Sequence, residues 1–103
     1  MDFTEQIFEA LSEIFEDESQ DDVIKLRGLE LDGSTICLDV ETHRMELDFF
    51  TKIFLTENKL IQIEGFDDVF TISPDLDDAR ETAYQILSSI SRAAEDEEDF
   101  LEE

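Results

Sequence analysis

A chain of 103 residues with 30 Asp and Glu against seven Lys and Arg carries a formal charge of −23. That is enough chain for one domain with one modest core, and too little clustered cation to hold nucleic acid or an anionic membrane. Its 41% apolar content, with nine Phe, excludes a disordered acidic tail, and the single cysteine, Cys37, excludes an internal disulfide.

The opening "MDFTEQIFEA" has no basic stretch of the kind that starts a secretory leader. A cytoplasmic protein is expected. Residues 2–17 read as a helix, with Asp2 as cap and Glu5 three positions later. Phe3, Ile7, Leu11 and Ile14 recur at helical spacing, and Phe8, Ala10 and Phe15 widen the stripe. Glu5, Glu9, Glu13 and Glu16 lie opposite, and "EDESQDD" ends the pattern.

Residues 23–31 read as a strand whose apolar phase changes at Gly28, where a β-bulge resets the register. Asp32-Gly33 signals a hairpin. A second strand, 35–41, turns Ile36, Leu38 and Val40 inward, and Cys37 outward among acids. Thr42-His43 reads as a two-residue turn into a third strand from Arg44, with Met45, Leu47 and Phe49 inward. That register sets Asp39 opposite Glu46, and Lys25 on the first strand is expected beside Asp39. Residues 50–56 read as strand, "LIQIEG" as its return, and "VFTIS" at 69–73 as a last short strand.

Ser73 then reads as the cap of a second helix with Pro74 at its first position. Leu76, Ala79, Ala83, Ile86, Leu87 and Ile90 form its apolar stripe to about Ala94. The order is that of an α+β fold: N-terminal helix, antiparallel sheet of four to six strands, C-terminal helix. It forms a single domain over 1–94, followed by an acidic tail over 95–103.

Catalysis has little to stand on. His43, the only histidine, falls in a turn, and Cys37 has no second Cys and no His at metal spacing. No glycine-rich phosphate loop is present. "PDLDDARE" lacks the central Gly and distal Glu of a calcium loop. No enzyme, no cofactor and no dedicated metal site are expected.

The arrangement of the acids is more informative. Glu5, Glu9, Glu13 and Glu16, with Asp17 beside them, repel at i,i+3 and i,i+4 spacing, where like charges cost roughly 0.2–0.5 kcal/mol per pair. Asp39, Glu41, Glu46 and Asp48 share the outward face of two strands, where like charges opposite one another are also unfavourable. Asp75, Asp77, Asp78 and Glu81 suit the positive end of the second helix. The run Glu95, Asp96, Glu97, Glu98 and Asp99 does not suit the other end. Taken singly, each cluster reads as a solvated face. Together they form dense negative rows, with Phe100 and Leu101 as a candidate apolar anchor.

Three readings follow. High-salt adaptation fits the charge but not nine Phe and ten Ile against five Ala. An acidic chaperone or adaptor of the type III secretion kind fits the size and element order; it would bind a client segment, or a second copy as a homodimer. In charge density, length and α/β make-up the whole chain resembles small acidic phage-encoded anti-CRISPR and anti-restriction proteins, a group with no defining motif. The resemblance implies a DNA mimic that blocks the nucleic-acid groove of a CRISPR effector or restriction enzyme without chemistry. The partner-binding residues would then be Glu5, Glu9, Glu13, Glu16, Asp17, Asp39, Glu41, Glu46, Asp48, Glu95, Asp96, Glu97, Glu98, Asp99 and Phe100, and not the cluster at the start of the second helix.

Overall fold

Asp2 starts the first helix as its position predicts. Its Oδ1 accepts the backbone N–H of Glu5 at 2.8 Å, which satisfies one of the donors that a helix start leaves open. In the computed structural model, which describes residues 2–17, 23–66 and 69–102, α1 runs Phe3–Asp17. Ile7, Leu11 and Ile14 are buried along one face. Residues 18–22 of the acidic break lie outside the described residues, as do Asp67 and Asp68.

Five antiparallel strands follow in the order β1-β2-β3-β4-β5. They are β1 (Ile24–Asp32), β2 (Thr35–Thr42), β3 (Asp48–Leu55), β4 (Ile61–Glu64) and β5 (Phe70–Ile72). The expected bulge is present: Leu26 pairs with Val40 and Gly28 with Asp39, so Arg27 is the extra residue. Asp32 pairs with Thr35, leaving Gly33-Ser34 as the two-residue turn. Gly33 has φ +62°, the left-handed backbone that such hairpin turns require at their first central position.

The β2–β3 connection corrects the expected register. Val40 pairs with Phe49 and Asp39 with Phe50, so the chain enters β3 four residues later than a Thr42-His43 turn would allow. Thr42 closes the longer loop. Its Oγ1 accepts the Leu47 N–H at 2.9 Å, while its own N–H donates to the Leu47 carbonyl at 2.8 Å. Met45 and Leu47 therefore sit in the loop, and Glu46 has φ +56° there. It does not face Asp39.

The second helix, α2 (Ala79–Glu102), begins later and ends later than its stripe suggests. Asp78, and not Ser73, is the cap: its Oδ1 accepts the Glu81 N–H at 3.0 Å. Before it, Asp75 folds a turn, with its carboxylate on the Asp77 N–H and its carbonyl on the Asp78 N–H. Thr82 holds that turn, accepting the Asp75 N–H at 3.0 Å. Leu76 lies in the turn, exposed, outside the apolar stripe. At the other end, residues 95–102 are the last turns of α2 and not a separate tail.

Arg80 in the first turn of α2 reaches Glu13 near the end of α1 at 3.2 Å, while Glu98 near the opposite end meets the β2–β3 loop. The end of α1 thus lies beside the start of α2. Both helices cover one face of the sheet. The core between them holds Ile36, Leu38, Val40, Ile53, Ile61 and Ile63 from the strands, with Ile7, Leu11, Ile86 and Ile90 from the helices. Each such side chain, fully buried, contributes roughly 1.5–3 kcal/mol. The alternate strand residues, including Cys37, Asp39, Glu41 and Phe50, point to the uncovered face.

Candidate functional site

The acidic surfaces differ in how their charge is held. On α1, Glu5, Glu9, Glu13 and Glu16 are all exposed. Glu13 pairs with Arg80. No ion pair joins Glu5, Glu9 or Glu16 to a cation among the described residues. Their carboxylates stack on one helix face at about 5–6 Å per step. The Asp17 side chain lies outside the described residues.

The last turns of α2 carry a second row. Glu95, Asp96, Asp99 and Phe100 are exposed, Phe100 at 74%. Glu97 is half-buried. Glu98 is turned inward, only 3% exposed. It accepts the Met45 N–H at 2.9 Å and lies 3.9 Å from Arg44 Nε. Arg44 also reaches Asp99 at 3.3 Å. Carboxylates disfavour the C-terminal end of a helix dipole. Here the β2–β3 loop supplies the missing donor and cation, so the helix continues through the acidic run.

The uncovered face of the sheet is different again. Glu41 pairs directly across from Lys25 and Asp48. It binds both nearby cations, Lys25 at 3.1 Å and Arg27 at 2.7 Å. Lys25 therefore relieves Glu41, not Asp39 as the sequence reading has it. Asp39 lies between Gly28 and Phe50 in the same cross-sheet row. A hydrogen bond with the Asp48 carboxyl holds the pKa of Asp39 above its ordinary value. Burial and repulsion from Asp48 and Glu41 push the same way, and Arg27 opposes them. Its Oδ1 is closed off from solvent and has no hydrogen-bond partner among the described residues. Glu46 is exposed in the loop, apart from this row.

The structure thus gathers Asp39, Glu41 and Asp48 on one face, and leaves the α1 and α2 rows on the helix layer. Sequence reading missed the groove that Gly28 opens beside Asp39. Its signal was already present in the bulge at Gly28, once the β2–β3 register placed Phe50 on the same row. It also missed the tie from Arg44 to Glu98, which no local pattern announces across 54 residues.

His43 is exposed, with its backbone N–H on the Val23 carbonyl at 3.0 Å. Cys37 is half-buried between Glu30 and Lys52 in the strand register. Among the described residues, no three His, Cys, Asp or Glu side chains converge as metal ligands, and no helix is long and apolar enough to cross a membrane. No known protein family, curated protein or solved structure matches this chain. Its function is therefore argued from its own side chains.

Proposed function

We propose that this protein is a non-enzymatic acidic inhibitor that works in the cytoplasm. It presents nucleic-acid-like rows of carboxylates to a basic nucleic-acid-binding protein, such as a CRISPR effector or restriction enzyme, and excludes DNA or RNA from that partner's groove. The observation that carries this reading is the α1 row. Glu5, Glu9 and Glu16 are exposed on a well-packed helix, without a pairing cation among the described residues, an arrangement that costs stability unless a cationic surface answers it. The end of α2 adds support. Glu95, Asp96 and Asp99 stand on helix rather than on a loose tail, which lowers the ordering cost of docking. A charge of −23 steers such an encounter and makes it fast and salt-sensitive.

The test is charge reversal of Glu5, Glu9 and Glu16 together, which leaves the Glu13–Arg80 pair in place. The variant should melt at or above the temperature of the parent. It should lose competition with duplex DNA for a nuclease recovered from bacterial lysate at low salt. Unchanged competition would remove α1 as the mimic face. A second reading, an adaptor that holds a client segment, draws on Phe50, which is 57% exposed on the uncovered sheet face. Recovery of a secreted effector in place of a nuclease would favour it.

A further inference from the structure

The uncovered sheet face holds a feature that the acidic rows leave unexplained. A groove of about 470 Å³ is lined by Gly28, Leu29, Glu30, Cys37, Asp39 and Phe50. One cross-sheet row crosses it, from Gly28 through Asp39 to Phe50. Gly28 opens one side because it has no side chain. Phe50 stands at the other with much of its ring in solvent. Between them lies half-buried Asp39, whose Oδ1 has no hydrogen-bond partner among the described residues. The neighbouring cations of β1, Lys25 and Arg27, are bonded to Glu41. The groove therefore sets a half-buried carboxylate, with the β1 cations already engaged by Glu41, beside an open aromatic ring.

We infer that this groove takes an arginine side chain from a basic partner protein. The inference rests on the reading above that the partner is basic, and it names a docking contact within that encounter. A guanidinium is planar. It can lie against an aromatic ring and, from the same position, donate N–H groups to a carboxylate. Phe50 and Asp39 are placed for those two contacts, and Glu30 adds a second carboxylate to the lining. A lysine ammonium is a compact charge without the flat face that Phe50 favours. The rows on α1 and α2 then attract the partner from a distance, and the groove fixes its register.

The test uses a fluorescent oligo-arginine peptide, with oligo-lysine of equal length as comparator, in dilute and concentrated salt. Gly28→Leu fills the groove and leaves the charge unchanged. Its first added carbon meets nothing closer than Asp39 Cβ at 3.7 Å, an ordinary contact. Phe50→Ala removes an exposed wall and serves should Gly28→Leu melt early. Each variant should weaken oligo-arginine binding about tenfold, as loss of one anchoring contact does. The double variant Glu9→Gln and Glu16→Gln should weaken it less than Asp39→Asn alone.

Parent-like affinity in a folded Gly28→Leu and in Phe50→Ala overturns the inference. Equal and equally sensitive binding of oligo-lysine overturns the arginine assignment. A concentration-dependent dimer that Gly28→Leu dissolves gives the groove to a second copy instead. The two readings fail separately. If no nucleic-acid enzyme is displaced from DNA, yet groove-dependent oligo-arginine binding persists, the inhibitor reading falls and the groove stands. If DNA is displaced equally well by parent and Gly28→Leu, the groove falls and the inhibitor reading stands.

Discussion

Along β2, residues facing the helices alternate with residues facing solvent, and the two sets are under opposite demands. Ile36, Leu38 and Val40 are buried beneath α1 and α2. Cys37, Asp39 and Glu41 alternate with them on a face that no helix covers. The covered face is saturated with apolar contact. The open face mixes an exposed Phe, an unmatched carboxylate oxygen and ion pairs that converge on one glutamate. A sheet whose second face were only solvated would show a cleaner alternation of apolar and polar residues. The difference assigns stability to one face and leaves the other free of that demand.

The largest expected effect contrasts those faces directly. Leu38→Ala on the covered face should cost about 2–5 kcal/mol in urea unfolding, because it removes a fully buried side chain and leaves a cavity. Phe50→Ala on the open face should stay within about 0.5 kcal/mol of the parent. Comparable losses at the two positions would mean that Phe50 is part of the core, and the contrast would fail.

The next effect lies at the end of α2. Glu98→Ala removes the acceptor of the Met45 N–H and the carboxylate beside Arg44. It should cost about 1–3 kcal/mol, as loss of a buried hydrogen-bond partner does, and should fray the last turns by hydrogen exchange. Glu95→Ala and Asp96→Ala, both exposed, should be near neutral. A silent Glu98→Ala would show that the acidic turns hold themselves.

These positions also show what was legible in the sequence. The α+β order, the Asp2 cap and the Gly28 bulge rest on local chemistry, so they could be read from neighbouring residues. The failures involve ties between residues apart in the chain. Thr42-His43 has no strong turn preference, and only the Thr42 hydroxyl on Leu47 reveals the longer loop. Ser73-Pro74 looks like a helix start, but Thr82 holds Asp75 in a turn and gives the cap to Asp78. The acidic run at the end of α2 does not suit the helix dipole by itself, and its compensation, Arg44 and the Met45 N–H, comes from the β2–β3 loop. The carboxylate rows were visible as spacing. Which members stay exposed was not, since Glu98 and Glu41 are claimed by cations or backbone donors from other elements.

The smallest effect is the most specific to the open face, and its sign can be worked out. The hydrogen bond with the Asp48 carboxyl, then burial and nearby negative charge, raise the pKa of Asp39 above its ordinary 3.8, against the opposing pull of Arg27. The folded protein then holds this proton more tightly than the unfolded chain. Stability from that preference is fully present below the unfolded pKa and is lost as pH rises through the folded one. At neutral pH the ionised pair, Asp39 and Asp48, is a strain that the fold carries. Asp39→Asn keeps the shape, cannot ionise and offers Asp48 a donor. It should be more stable than the parent at neutral pH by about 0.2–1 kcal/mol, the range for a cross-strand like-charge pair. The gap should narrow as pH falls toward the ordinary carboxylate value, because the parent then gains the proton that the variant never needs. A gap independent of pH would detach Asp48 from the effect. A destabilised Asp39→Asn would mean that a cation inside the chain already satisfies Asp39, which would leave the groove nothing to recruit from a partner.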